Sequence, residues 1–151
     1  MSRIATYLWF DHQAEEAAEF YTSLIGNSRV KDVSRGPDGS VMAVTFDLDG
    51  QQFLALNGGP AFTFSEAISI YVGCESQEQV DELWAKLTDG GAEGPCGWLK
   101  DRYGLSWQII PDALPALLSD PDPGRATRAA TAMRQMKKID IKALAAAADG
   151  A

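Results

Sequence analysis

Apolar residues follow two rhythms along this chain, and the rhythms alternate in blocks. Ile4 to Phe10 is a short apolar run rich in strand-forming residues and predicts a first strand. The spacing then lengthens. Ala17, Phe20, Tyr21, Leu24 and Ile25 fall at i, i+3, i+4, i+7 and i+8, the single buried stripe of a helix. Asp11 is the expected cap, Glu15 and Glu16 suit the positive end of the helix dipole, and Gly26-Asn27 ends the helix. Three strands are predicted next, at about Arg29–Arg35, Val41–Leu48 and Gln52–Leu56. Gly36-Pro37-Asp38-Gly39 separates the first two, and Asp49-Gly50 is a strong two-residue hairpin signal between the others.

After a connector from Asn57 to Glu66 the order begins again. Ile68 to Val72 alternates as a strand, and Ser76-Gln77-Glu78-Gln79 reads as a capping box. Val80, Leu83, Trp84 and Leu87 form a second helical stripe, stopped by Gly90-Gly91. Two aromatic-rich strands close the set, between Trp98 and Pro111, around a polar turn ending at Gly104. Strand, helix and strands, twice, is how two half-domains build one curved sheet with a helix behind each half. Three matched apolar positions on amphipathic helices also arise by coincidence, so the order of elements carries the repeat.

Past Pro111 the pattern turns helical: Ala113–Leu118, a basic helix at about Arg125–Lys137, and an alanine-rich helix capped by Asp140. The expected organisation is a domain over residues 1–111, with modules at about 3–57 and 67–111. An extension over 112–151 is expected to pack on that domain or on a second subunit.

Composition changes this picture little. Apolar content of 46% with 23% charged residues is ordinary for a globular protein. The net charge of −8 offers no basic stripe for nucleic acid and no attraction to an anionic membrane surface. The stretch Met1-Ser2-Arg3-Ile4 lacks the apolar core of a signal peptide, and no run approaches the ~20 apolar residues of a membrane helix. Cys74 and Cys96 make neither a disulfide framework nor a zinc spacing. A cytoplasmic protein with reduced thiols is expected.

Several segments together resemble a known family. Tyr7-Leu8-Trp9-Phe10-Asp11, Glu16-Ala17 with Phe20-Tyr21, Leu56-Asn57-Gly58-Gly59-Pro60, and Cys96-Gly97-Trp98 with Trp107-Gln108-Ile109-Ile110-Pro111 are similar to the PhnB-like branch of the vicinal oxygen chelate superfamily. Met136-Lys137-Lys138-Ile139-Asp140-Ile141 resembles that branch's closing motif. The resemblance implies an α+β fold: paired βαβββ modules forming a cup-shaped mixed sheet with helices on the outer face, plus the C-terminal helical tail. It also implies a homodimer with the ligand inside the cup. Members of the branch often carry the label 3-demethylubiquinone-9 3-methyltransferase. A methyltransferase using S-adenosylmethionine would show a glycine-rich turn from a first strand into its helix. The one dense glycine cluster, Gly90 to Gly97, follows a helix and contains a proline, so it reads as a loop.

Metal-dependent members of the superfamily hold a divalent cation with His or Gln, Glu, His and Glu on four strands. The corresponding positions here fall near Ala5 or Thr6, Leu56 or Asn57, Ala67 or Ser69, and at Gln108. Only Gln108 keeps a ligating side chain, and one neutral amide does not repay a cation's lost hydration. The sole histidine, His12, sits at a turn and reads as solvated. No cofactor is expected, and no catalytic or metal-binding residue is assigned.

Strand parity then gives a candidate lining. If Leu8 and Phe10 face the helices, Tyr7 and Trp9 face the cup. If Ile68, Ile70 and Val72 are core, Ser69 and Tyr71 line it. With Trp107 and Ile109 in the core, Ser106 and Gln108 turn inward, and Trp98 and Asn57 join them. Aromatic walls with a few hydroxyl and amide groups suit a flat, partly polar small organic molecule. The plainer reading of each aromatic is core. Phe62 and Phe64 read as a lid or a dimer contact, Asp101 and Arg102 as a solvated or locally paired couple, and both cysteines as structural. The function classes in play are a metal-free binding protein and an enzyme, the latter metal-dependent or methyl-transferring.

Overall fold

The computed structural model describes residues 3–151; Met1 and Ser2, part of the N-terminal stretch read above, lie outside the described residues. The chain divides into two units, Met1–Phe64 and Ser65–Ala151. In the first, β1 (Thr6–Phe10), α1 (Ala14–Leu24), β2 (Arg29–Arg35), β3 (Val41–Leu48) and β4 (Gln51–Asn57) form one βαβββ module. Its sheet has the order β1-β4-β3-β2, with β1 parallel to β4 and the other pairs antiparallel. The register puts Leu8 beside Ala55, Val44 beside Ala55, and Phe46 beside Phe53, all on the face that α1 covers with Ala14, Ala17, Ala18 and Tyr21. The Phe46 and Phe53 rings stack at 5.5 Å. Burying a side chain of this size contributes about 1.5–3 kcal/mol. Asp49 (φ 48°) and Gly50 (φ 81°) both take the left-handed conformation that a two-residue hairpin between twisted strands demands.

One local expectation fails here. Helix α1 begins at Ala14, too far along for Asp11 to cap it, and Gln13 at the cap position makes no side-chain cap bond. The acceptor comes from β4 instead: Asn57 Oδ1 accepts the Ala14 N–H at 2.9 Å, while its amide donates to the Val41 carbonyl at 3.1 Å.

The second unit repeats the connectivity with β5 (Ser69–Cys74), α2 (Gln77–Thr88), β6 (Ala92–Glu93), β7 (Trp98–Lys100) and β8 (Ser106–Pro111), in the order β5-β8-β7-β6. Strand β5 starts one residue later than its apolar alternation suggests, which leaves Ile68 outside the sheet and exposed. Strand β6 lies inside the segment read above as a loop; it pairs with β7, and Glu93 accepts the Trp84 indole N–H at 2.7 Å. Ser76 caps α2 by accepting from Gln79, and Gln79 accepts in return from the Glu75 N–H, a near form of the expected capping box.

The β7–β8 turn decides between the two readings of Asp101, solvated or locally paired, in favour of local pairing. Asp101 is not solvated; it is 2% exposed, and its carboxylate accepts the Tyr103 N–H, the Leu105 N–H and the Trp107 indole N–H at 2.9–3.0 Å.

The tail forms α3 (Ala113–Leu118), α4 (Pro123–Arg134) and α5 (Ile141–Ala148). Leu114, Ile139 and Leu144 close over Ile110 of β8, with Met133 and Met136 packed alongside. Polar contacts pin the segment between α4 and α5. The Gln77 amide donates to the Ile139 carbonyl and accepts from the Ile141 N–H, and the Cys96 and Gly97 N–H groups donate to Met136 and Lys137. Gly97 (φ 85°) is confined here, since a β-carbon would stand 2.7 Å from Ile110 and 3.1 Å from Ile139. Asp140 caps α5 as expected. Among the described residues no helix is long and apolar enough to cross a membrane.

Candidate ligand-binding site

In the second unit the register sorts the candidates cleanly. Leu99, Trp107 and Ile109 are buried on the α2 side. Because paired residues share a face, Trp98, Gln108 and Tyr71 form one row across the opposite side, and Lys100, Ser106 and Ser69 form the next. All five candidates from this unit, Ser69, Tyr71, Trp98, Ser106 and Gln108, therefore lie on one face. Gln108 donates its amide N–H to the Ser69 hydroxyl at 2.9 Å. Tyr71 is exposed.

At the β7 side of this face opens a hollow of about 560 Å³, whose lining includes Trp98, Pro95 and Ala92 with Ser106, Lys100 and Glu66. Ser106 is 1% exposed, and its hydroxyl has no hydrogen-bond partner among the described residues. A buried polar group without a partner is costly and rare in a native fold. Lys100 and Glu66 form an ion pair, and the Lys100 hydrogen bond is the main cause that holds the Glu66 carboxyl below its ordinary range. Neither Lys100 nor Glu66 stood out in the sequence reading. Lys100 had a signal: it is two residues from Trp98 on one strand and so shares its face. Glu66, in an irregular connector, had none.

The first unit presents a second open face. Tyr7 and Trp9 lie there beside Leu54 and Leu56, and Tyr7 is exposed. The Trp9 indole donates to the Gly59 carbonyl at 2.9 Å, and Phe62 meets it edge-on at 4.9 Å. Gly58 is pressed so close that a β-carbon would come within 2.4 Å of the Trp9 ring. Phe64 packs likewise on Phe10 at 5.2 Å. Asn57 points the other way. It pairs with Phe10 on the helix-covered face, and its amide is occupied in tying α1 to β3. A hollow of about 540 Å³ lies beside it, lined by Asn57 with His12, Glu15, Glu16, Ser40 and Val41, and Glu15 is paired to Arg35.

The donor set does not fit the superfamily's divalent cation. Thr6, Asn57, Ser69 and Gln108 offer only neutral hydroxyls and amides, with no imidazole or carboxylate among them, and the Asn57 amide oxygen already accepts the Ala14 N–H. Among the described residues no three His, Cys, Asp or Glu side chains gather in metal-binding geometry. Nor do the residues fit a nucleotide-type cofactor at a strand–helix turn. Asp11-His12-Gln13 between β1 and α1, and Glu75-Ser76 between β5 and α2, contain no glycine to admit one. Of the cysteines, Cys74 is buried, and burial, helped by the nearby Asp112 charge, pushes its thiol up to about 11. Cys96 lines the hollow in a left-handed backbone conformation (φ 58°).

A family model described as 3-demethylubiquinone-9 3-methyltransferase matches residues 2–110, so the tail lies beyond the match. Among solved structures, a PhnB protein from Bacillus cereus is 38% identical over 73% of this chain and 99% of its own, with a TM-score of 0.67. Protein PA1353 from Pseudomonas aeruginosa is 19% identical over 74% of this chain and all of its own, with a TM-score of 0.59. The fosfomycin resistance protein FosX from Listeria monocytogenes, in a form complexed with Mn(II) and sulfate, shares the fold at 17% identity, a TM-score of 0.54 and coverage of 72% and 89%. No curated protein matches the chain. With the twofold βαβββ connectivity in place, these matches mean that the chain belongs to the PhnB-like 3-demethylubiquinone-9 3-methyltransferase family of the vicinal oxygen chelate superfamily.

Proposed function

We propose that this protein binds a small organic molecule with a flat apolar body on the open face of the second unit, without the superfamily's metal. One observation carries the reading: an apolar-walled hollow whose lining holds a buried hydroxyl that nothing among the described residues satisfies. An apolar cavity with few, well-placed polar groups is the usual form of a small-molecule site. Trp98 supplies the flat wall and Ser106 the directed hydrogen bond. Gln108, Ser69 and Tyr71 extend the same face, while Tyr7 and Trp9 offer a further aromatic surface on the first unit. The family label would add methyl transfer, and the turns that would have to admit a nucleotide-like donor speak against it.

The working form is a homodimer in a reducing compartment, the cytoplasm. Ile4, Tyr7, Met42, Phe62, Ile68 and Tyr71 are large apolar side chains left exposed by a single chain, and such surface favours a second copy. Two free thiols suit a reducing environment.

A titration of 15N-labelled protein with flat aromatic probes tests the site. Amide shifts should centre on residues 92–106 and vanish in Trp98→Ala. Shifts confined to the first unit, or surviving that substitution, would overturn the assignment. Native mass spectrometry after offering zinc, nickel, manganese and iron should find no tightly held ion. One ion per subunit would restore the chelate chemistry.

A further inference from the structure

We infer that the hollow is selective for an organic anion, whose acid group seats between the Lys100 ammonium and the Ser106 hydroxyl and displaces Glu66. This rests on the small-molecule reading above and names its ligand class. Three facts converge. Lys100 and Ser106 are directly paired across β7 and β8, so a cationic side chain and one with a buried hydroxyl leave the sheet from neighbouring positions on one face. The hydroxyl has no partner among the described residues, and a carboxylate oxygen is the strongest acceptor it could be given. The ammonium already holds a carboxylate, that of Glu66, so the chain itself supplies a stand-in for the ligand's acid group.

The stand-in is built to be replaced. Glu66 lies outside β5 in the connector, and its side chain is 61% exposed. An exposed ion pair of this kind holds weakly. The displaced carboxylate would go directly into water. A ligand carboxylate gains both the ammonium and the buried hydroxyl, which Glu66 does not contact. Among the described residues the only other charged group lining the hollow is Glu93, and its carboxylate is engaged by the Trp84 indole N–H on the α2 side of the sheet. The wall of Trp98, Pro95 and Ala92 then takes the apolar remainder of the ligand, so a bare inorganic anion would leave most of the site unfilled.

The test compares 2-naphthoate with its neutral isostere 2-naphthamide, by calorimetry and by amide shifts in the labelled full chain. Naphthoate should bind more tightly, and more weakly as salt is raised. Glu66→Gln removes the competing carboxylate and should tighten naphthoate by about threefold, the scale of an exposed ion pair. Lys100→Gln should weaken it by about tenfold, the scale of a charge-assisted contact, and Ser106→Ala by about fivefold, the scale of one hydrogen bond. Naphthamide should respond to neither charge substitution. Glu66 and Lys100 are exposed enough that neither change threatens folding. If both probes bind the hollow equally and Glu66→Gln alters neither, the anion inference fails while the small-molecule site stands. If neither probe shifts residues of the hollow, the site itself fails, and the inference with it.

Discussion

Replacing Asp101 by alanine removes the acceptor around which the β7–β8 turn is wound. Three N–H groups lose their partner, and their surroundings decide the outcome. The Tyr103 N–H is only part-buried and regains water. Leu105 and Trp107 are 1% and 0% exposed, so the Leu105 N–H and the Trp107 indole N–H have none to regain. Each orphaned buried donor costs about 1–3 kcal/mol, which puts Asp101→Ala at about 4 kcal/mol. Asp101→Asn keeps one acceptor oxygen but turns an amide N–H toward one of the donors, for about 2 kcal/mol. Urea unfolding followed by tryptophan fluorescence reads this directly. With a slope of about 2 kcal/mol per molar, the midpoint should fall by about 2 M for alanine and 1 M for asparagine. Trp107→Phe removes the indole donor, so the double substitution Asp101→Ala with Trp107→Phe should cost at least about 1 kcal/mol less than the sum of its parts. A loss below about 1 kcal/mol for Asp101→Ala, or strict additivity, would refute the view that this carboxylate organises the turn carrying Lys100 and Ser106.

Asn57→Ala should remove both the α1 acceptor and the tie to Val41, lowering stability by about 1 kcal/mol and the melting temperature by about 3 °C, without altering probe binding in the second unit. A loss of that binding with the melting point unchanged would contradict the structural role given to it. Cys74 makes a pH prediction. Its thiol rises from 9.0 to about 11 in the fold, so the unfolded chain gives up its proton first. The contribution is therefore intact below pH 9 and lost as pH climbs through 11, up to about 2 kcal/mol. Cys74→Ala should flatten that alkaline slope in unfolding experiments between pH 8 and 11, and an unchanged slope would assign it elsewhere.

What the residues announced on their own was most of what short-range rhythm governs, the Asp11 cap and the start of β5 excepted. The ranges of β2 and β3, the Asp49-Gly50 hairpin, the Asp140 cap and the α3 segment came out as read. Strand parity placed Leu8, Phe10, Trp107 and Ile109 in the core and set Ser69, Trp98, Ser106 and Gln108 on the opposite face. These follow from sequence because a period of two, a period of 3.6 or a turn dipeptide is complete within a few residues.

What only the tertiary structure decided was every partnership made across the chain. Asn57 resembles a site residue in its motif, yet it holds a helix that begins 43 positions earlier. Asp101 and Arg102 look alike as turn charges, but the carboxylate is buried because an indole six residues on needs its oxygen. Strand β6 is two residues long and exists only because β7 lies beside it. The Glu66–Lys100 pair joins a connector to a strand 34 residues away, and no local pattern encodes that meeting. A side chain's type says what it can bond. Which partner it finds depends on where the folded backbone brings the other end, and on whether water is left to compete.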